Sequence, residues 1–493
     1  MSRPIALLLL IQTLVSPALA AQSLLQNGGF ETADSAGRPA AWKVGGGAPY
    51  TFSRSTQKIE GRLSAHIARS DTGGTVRLGS LSQTIRLPSL RGTLVRLRAY
   101  ARSEIDRPSW AGLFVRVMQP DGYGFFDNMQ SDPIRSSSWE PYQIVVPVSQ
   151  EADSIRIGFF LSGVGQLWID SISFQSLDSA DLASLSPPSA VATGYLDSAI
   201  AIMRIHSLRR DSVDWPALRA TAMRYAGEAR RPGETHFALE RAIKLLGDHH
   251  SFLIRLPVGA GTEAADTSTI STDARLLPGR VGYLVVPPFG DTDSVRMRTY
   301  FRMLEDSLLS LKQQGACTWV LDLRGNWGGN MWPMLAGLRG FFSPGVVGKF
   351  MYPDTIQAWK FNAYGPSSEE EDEARISEFG ERRLDLSKSP VALLIGEGTA
   401  SSAEAVTLSF RGRPRTKSFG QPTMGLSTGN EDFTLPDGAE LLLTVALMAD
   451  RSGRGDGRRI APDVLLPADP APSATDTALA AAVAWLSREP DCQ

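Results

Sequence analysis

Three short stretches of this chain carry residue types that together could transfer an acyl group. The first is Val391-Ala-Leu-Leu-Ile-Gly-Glu-Gly-Thr-Ala-Ser401-Ser402-Ala-Glu404, an apolar run that stops at glycines and small residues before a helix-like segment. A serine hydroxyl at a helix start lies where backbone N–H groups are unpaired and the helix dipole favours an oxyanion. The second is Trp319-Val-Leu-Asp322-Leu-Arg-Gly-Asn-Trp-Gly328-Gly329-Asn330, a strand running into a glycine-rich turn. The third is Asp248-His249-His250-Ser251. Serine is a poor nucleophile until an adjacent base takes its proton. Histidine, with an unperturbed pKa of about 6.5, suits that role near neutral pH. A candidate nucleophile, a candidate oxyanion loop and a candidate base thus sit in three separate segments.

Each stretch alone has a plainer explanation. Ser401 with Glu404 is Ser-x-x-Glu, a helix capping box. Glycines make tight turns everywhere, so Gly325 to Gly329 read alone is such a turn. A lone histidine is more often structural than catalytic. The five histidines (His66, His206, His236, His249 and His250) show no spacing with Glu or Cys that suits zinc, so neither a metal nor a cofactor is expected. There is no Gly-x-Ser-x-Gly elbow and no Walker-type phosphate loop.

The elements that must position these stretches follow from periodicity. From Gly279 onward the rhythm is α/β. Val281 to Val286, Thr318 to Leu323 and Val391 to Ile395 read as buried strands. Val295 to Gln314 reads as an amphipathic helix capped by Ser294 or Asp293. Met331 to Phe342 and Ala403 to Phe410 read as helices. Phe433 to Leu435 and Glu440 to Ala446 read as late strands joined by the turn Pro436-Asp437-Gly438. Tyr195 to Leu246 is helical, with Leu196, Ala199, Ile200 and Met203 on one face. Residues 22–178 read as all-β, a series of short alternating strands separated by Gly, Pro, Asp and Ser, which implies a sandwich. Gln175 to Ala190, rich in Ser, Ala and Pro, reads as a linker. Residues 366–385, acidic at first, read as a solvated loop or helix face, with a lid as the alternative. Thr475 to Leu486 reads as an alanine-rich helix.

Bulk properties limit the function classes. A chain of 493 residues exceeds one ordinary core. Its 42% hydrophobic and 21% charged residues are those of a folded protein. Fifty basic against 52 acidic residues, a net charge of −2, make no electrostatic case for nucleic acid. Arg3, the apolar run Ile5 to Val15 and Ala18-Leu19-Ala20 form the n-region, h-region and cleavage site of a signal peptide. That run is short for a membrane span, so the mature protein is expected to be exported, periplasmic or secreted, with no transmembrane anchor. Cys317, beside a buried strand, reads as a small core residue, and Cys492 as a mobile one. A bond between them is the lesser expectation.

Taken together, the segments resemble the S41 serine peptidases, the C-terminal-processing and tail-specific protease family, over roughly residues 190–470. The resemblance rests on Leu246-Gly-Asp-His-His250-Ser251, Gly282-Tyr-Leu-Val-Val-Pro, Val320-Leu-Asp322-Leu-Arg-Gly-Asn-Trp-Gly328-Gly329, Gly398-Thr-Ala-Ser401-Ser-Ala-Glu404 and Gly455-Asp-Gly-Arg-Arg-Ile-Ala-Pro462-Asp463-Val464, all in the family's order. It implies that Ser401 is the nucleophile. In one type of member a lysine in a Gly-Lys-Gly-like turn is the base. Here the matching stretch is Gly420-Gln-Pro-Thr-Met-Gly425-Leu426-Ser427, where leucine stands at the lysine position and Lys417 comes too early. In the other type, the tricorn-core and nisin-resistance-like peptidases, a histidine is the base, and His250 falls at that motif. His249 beside it is the ambiguity. Glu404 resembles the family's acidic residue after the nucleophile, orienting groups or holding the chain. Oxyanion donors are expected from Gly328 or Gly329 and from Ser402. Many members insert a PDZ module ahead of the catalytic core, but residues 252–278 are too few for one.

The opening Asn27-Gly28-Gly29-Phe30-Glu31 and the closing Leu167-Trp-Ile-Asp-Ser-Ile-Ser-Phe174 resemble jelly-roll, carbohydrate-binding-module-like domains of galactose-binding-like fold. The expected organisation is multidomain: signal peptide 1–20, β-sandwich 22–178, linker 179–193, helical subdomain 194–253, α/β peptidase core of ClpP/crotonase-like fold 254–470, and C-terminal helix and tail 471–493. The resemblance implies hydrolysis of proteins or peptides, with a carbohydrate or cell-envelope ligand for the sandwich. A catalytically inactive peptidase-fold binding protein, and a hydrolase of another acyl or carbohydrate substrate, stay open. The lack of a paired-carboxylate site counts against glycosidase chemistry.

Overall fold

The chain folds as two units in a computed structural model. The structure describes residues 24–71, 78–86, 88–255, 270–362, 365–368, 384–467 and 476–489. The expected signal peptide and most of the acidic 366–385 stretch lie outside the described residues. Among the described residues no helix is long and apolar enough to cross a membrane.

The first unit holds the described residues up to Leu196, together with 220–241 and Arg255. Two five-stranded sheets form it. One runs in the order Lys43–Gly45, Leu78–Ile85, Ser154–Ser162, Trp110–Gln119, Gly122–Asp127. The other runs Thr51–Ser55, Ser64–Arg69, Gly165–Leu177, Leu94–Glu104, Glu140–Pro147. Every pairing is antiparallel. Alternating residues of both sheets, among them Ile67, Leu97, Leu113, Ile157, Phe159 and Phe174, share one apolar core, as a sandwich requires. Thr51–Ser55, at one end of its sheet, exposes most of its side chains only partly and alternates weakly.

The stretch expected as a linker holds the helix Ser179–Ser184. Asp178 caps it, accepting from the Ala180 and Asp181 N–H groups, while the Asp181 carboxylate answers the Asp178 N–H. Leu182 packs with Val145, Leu177 and Phe237. The helical region is divided. Residues 220–241 belong to the first unit, where Glu228 pairs with Arg96 at 2.8 Å and Arg98 at 2.9 Å. Residues 197–219 and 242–254 belong to the second.

Two sheets form the second unit. The first runs Ala274–Leu277, Val281–Val285, Thr318–Asp322, Val391–Ile395, Thr416–Gly420, Val464–Leu465. Its first pair is antiparallel and the rest are parallel. Thr318–Asp322 and Val391–Ile395 are buried at every residue. Central parallel strands are covered on both faces, hence their continuous apolar sequence. The helices Ser294–Gln313, Met331–Gly337 and Ser402–Phe410 pack into a core with Trp319, Leu321, Leu393 and Ile395. The helix Thr477–Leu486 packs with Val320, Leu394 and Phe419. The expected Met331 to Phe342 helix is α-helical only to Gly337, and a 3-10 turn, Arg339–Phe341, follows.

The second sheet is antiparallel, in the order Phe252–Ile254, Glu440–Asp450, Gly345–Met351, Ile356–Phe361, Pro366–Ser368, with Thr428–Thr434 paired on the other side of Glu440–Asp450. Cys317 is 8% exposed, as expected of a small core residue, and is disulfide-bonded, which was the lesser expectation. The chain's other cysteine, Cys492, lies outside the described residues.

Candidate active site

Open parallel sheets present their ligands at the carboxyl ends of the strands. Four loops leave those ends here. Residues 286–292 follow Val281–Val285, 323–330 follow Thr318–Asp322, 396–401 follow Val391–Ile395, and 421–427 follow Thr416–Gly420. Side chains and backbone groups tie them to one another. Thr399 is fully buried, donates its hydroxyl to the Leu323 carbonyl at 2.9 Å and accepts from the Gly396 N–H at 3.0 Å. The Ala400 N–H reaches the Asn326 carbonyl at 3.0 Å, and the Met424 N–H the Thr399 carbonyl at 2.9 Å. Asn326, 1% exposed, donates to the Val286 and Pro287 carbonyls and accepts from the Gly328 N–H at 2.9 Å.

Ser401 stands at the start of the Ser402–Phe410 helix with φ +51° and ψ −116°. Non-glycine residues rarely hold such a backbone. Its N–H donates to the Glu404 carboxylate at 2.9 Å. That carboxylate, 0% exposed, also accepts from the Thr423 hydroxyl at 2.6 Å, the Gly425 N–H at 3.1 Å and the Leu426 N–H at 2.8 Å. Burial pushes the Glu404 carboxyl above the ordinary carboxylate range, and the four donors pull it back. Glu404 therefore clamps the 423–426 loop onto the serine, and its hydrogen bonds go to the scaffold. Leu426, at the lysine position of the Ser/Lys type, contributes its N–H to this clamp. Lys417 is the exposed residue of the Thr416–Gly420 strand, with its ammonium 5.8 Å from the Trp485 ring centroid.

His250 follows a tight turn. Asp248 accepts from the His250 and Ser251 N–H groups at 2.9 and 2.8 Å and from the Ser251 hydroxyl at 2.7 Å, an Asx-type turn. His249 takes φ +63° and is exposed, whereas His250 is 8% exposed. The next strand, Phe252–Ile254, and the strand beginning at Thr428 flank Glu440–Asp450. This brings His250 Nδ1 to 2.7 Å from Thr428 Oγ1, and the Asn430 amide to 2.9 Å from the His250 carbonyl. Burial lowers the His250 pKa and the Asp248 carboxylate partly restores it. No hydrogen bond joins His250 to Ser401 among the described residues. They are linked through Thr428, the 426–428 backbone and Glu404.

The glycine turn abuts the serine. A Cβ placed on Gly328 would lie 2.8 Å from Ser401 Cβ and 3.1 Å from the Ser402 nitrogen, and Gly328 and Gly329 take φ of +107° and +112°. The Gly328 N–H is already given to Asn326. The Gly329 and Ser402 N–H groups have no hydrogen-bond partner among the described residues, and the Ser402 hydroxyl donates to the Gly329 carbonyl. Trp327, 61% exposed, lines a cavity of about 590 Å³ with Pro287, Pro288 and Phe289. Asn326, Thr399, Thr423 and Thr428 were not singled out from sequence. Asn326, between two glycine-flanked motif residues, could have been. Thr428 gave no signal, since its partner His250 is distant in the chain.

Residues 280–466 match the model of peptidase family S41. The chain is 28% identical over 319 residues to the nisin-resistance protein of Lactococcus lactis subsp. lactis, covering 62% of this chain and 89% of that protein. It is 26% identical over 219 residues to the carboxyl-terminal-processing protease of a Synechocystis species, covering 42% of this chain and 45% of the relative, so it spans less than half of that protein. A solved structure, a lipoprotein from Streptococcus agalactiae, superposes with a TM-score of 0.50 at 24% identity, over 60% of this chain and 96% of that one, and shares the fold. The S41 resemblance read from the five motifs is thereby supported, with residues 280–466 similar to that serine-peptidase family.

Proposed function

We propose that this chain is an exported peptidase that hydrolyses peptide bonds of proteins or peptides through an acyl-enzyme on Ser401. His250 Nε2 takes the hydroxyl proton as Oγ bonds to the scissile carbonyl carbon. The developing oxyanion meets the Gly329 and Ser402 N–H groups, and losing one such donor typically costs about 10²–10³ in rate. His250 then gives its proton to the leaving amine as the C–N bond breaks, and water repeats the sequence to release the acid. The observation that carries this reading is the pair of unpartnered N–H groups beside a serine of positive φ, joined through Glu404 and Thr428 to a buried histidine.

Export is supported by the n-region, h-region and cleavage pattern of residues 1–20, and by the disulfide at Cys317, a bond of oxidising compartments. The sandwich is the module left for docking, with a carbohydrate or cell-envelope component as its ligand.

The test is digestion of an unfolded protein and a peptide library by the mature chain, beside Ser401→Ala and His250→Ala, with products read by mass spectrometry. Cleavage by wild type and losses of orders of magnitude in both variants are expected. The missing Ser401–His250 hydrogen bond favours one second reading, an inactive peptidase-fold binding protein. Catalytic contacts often tighten only with substrate, and peptide binding with no turnover by any of the three proteins would identify the binder instead.

A further inference from the structure

We infer that Thr428 is the residue that positions the histidine base, its hydroxyl standing where acyl-transfer sites of the Ser-His-Asp kind place a carboxylate. The inference rests on the Ser401–His250 reading above and adds a member to it. Both partners of the 2.7 Å contact are buried, His250 8% and Thr428 7% exposed. Thr428 Oγ1 is the only side-chain partner of the His250 ring among the described residues. Asp248, the carboxylate that acts electrostatically on the ring, is engaged by two backbone N–H groups and the Ser251 hydroxyl.

Histidine acts as a base from one ring nitrogen only if the proton sits on the other. A hydroxyl that accepts the Nδ1–H leaves the lone pair on Nε2, the nitrogen that must face Ser401. When Nε2 takes the serine proton, Nδ1–H still donates to Thr428, and the threonine keeps its own proton throughout. The residue is held from one strand: Thr428 takes the imidazole, and Asn430, two residues on, takes the His250 carbonyl. A β-branched residue such as Thr428 is stiff at χ1. Thr444 completes the clamp, donating its hydroxyl to the Asn430 Oδ1 and its N–H to the Ser251 hydroxyl. A neutral hydroxyl orients the ring, but it stabilises the imidazolium less than a carboxylate does.

The experiment compares Thr428→Val, Thr428→Ser and Thr428→Asp in the mature chain, with Ser401→Ala and His250→Ala beside them, on one peptide that wild type cleaves. Valine keeps the shape and removes the acceptor, and kcat is expected to fall by about 10²-fold, the low end of general-base catalysis, with KM within about twofold. Serine restores kcat to within a few-fold. Aspartate moves the acid limb of kcat/KM to higher pH, because a carboxylate on Nδ1 favours the protonated ring in addition to Asp248. A Thr428 side chain that does not face the ring would leave that limb in place, and a merely structural threonine would leave kcat of the valine variant unchanged. Wild-type kcat in the valine variant, with Ser401→Ala and His250→Ala dead, overturns the positioning role and leaves the peptidase reading standing. Full activity of Ser401→Ala overturns both. Should the valine variant fail to melt cooperatively, the aspartate variant decides, and an acid limb unmoved from wild type overturns the inference.

Discussion

Gly328→Ala tests whether the glycine turn is built around the serine. The added methyl would lie 2.8 Å from Ser401 Cβ, 2.9 Å from the Ala400 carbonyl oxygen and 3.1 Å from the Ser402 nitrogen. Carbon atoms in contact rest about 3.5–4.0 Å apart, so the turn or the serine must yield by about 0.7–1.2 Å. The alanine would also hold φ near +107°, a conformation worth about 1–3 kcal/mol of strain. Two measurable losses follow. A displacement near 1 Å at a reacting group can cost about 10²-fold in rate, so kcat is expected to fall by that factor. The melting midpoint should drop by about 2–4 °C per kcal/mol lost. Gly325→Ala, in the same turn, is the control, because its Cβ would meet no atom within 4 Å. Its kcat should stay within about twofold of wild type. Steady-state hydrolysis of one quenched peptide and a thermal melt read both variants. A Gly328→Ala enzyme with wild-type kcat, or equal losses in the two variants, would refute the close approach of turn and nucleophile.

Three further outcomes are expected. Glu404→Gln turns an NH₂ toward two of the four donors now on the carboxylate. At about 1–3 kcal/mol per buried unsatisfied group, the urea midpoint should fall clearly and kcat with it, and an unchanged midpoint would remove the clamp. Burial holds the His250 pKa below its ordinary value, so the neutral ring persists below about pH 6.5. The acid limb of kcat/KM should then have its midpoint under that value, and the ring's contribution to stability, present above about pH 6.5, should vanish as pH falls through the folded pKa; an acid limb centred above 6.5 contradicts the burial. Trp327→Ala removes an exposed ring from the rim of the Pro287–Phe289 cavity, so KM for an apolar peptide should rise with kcat and melting unchanged, whereas an unaltered KM would place substrate elsewhere.

What the sequence disclosed depended on how local each signal was. Val391–Ile395 was read correctly to the residue because a central parallel strand is apolar on both faces. Asp293, one of two caps proposed for the long helix, accepts from Val295 and Arg296 because a carboxylate reaches the first turn. His250 and Ser401 were singled out by motif, and their roles await the variants above. Gly345–Met351 and Ile356–Phe361 went unread. They pair with each other and with Glu440–Asp450, and their half-buried faces alternate weakly. The Ser/Ala/Pro stretch after residue 178 looked like a linker, because composition does not register that Leu182 has a buried niche beside Val145 and Phe237. Thr428 escaped because its partner lies far away in the chain.

The two explanations of Ser401, helix cap and nucleophile, separate on backbone geometry. Other helix starts among the described residues carry ordinary side-chain caps, among them Asp178 at φ −96°, Asp293 at −65°, Asn330 at −95° and Asp476 at −85°, each extended and each accepting from first-turn N–H groups. Extended backbone is what capping needs. Ser401 alone among these takes φ +51° with ψ −116°, which a simple cap would have no reason to hold. The capping-box arrangement is kept as well, with Glu404 accepting the Ser401 N–H. That bond, the Ala400–Asn326 contact and the Ser402–Gly329 contact fix the backbone on both sides of the serine. A left-handed backbone costs an L-residue about 1–2 kcal/mol, and glycine escapes it. Ser401→Gly should therefore be more stable than Ser401→Ala by up to that amount in urea, against the usual penalty for glycine at a helix start, while both are inactive. If the alanine variant is the more stable of the two, Ser401 carries no strain and the positive φ gives no support to a nucleophile.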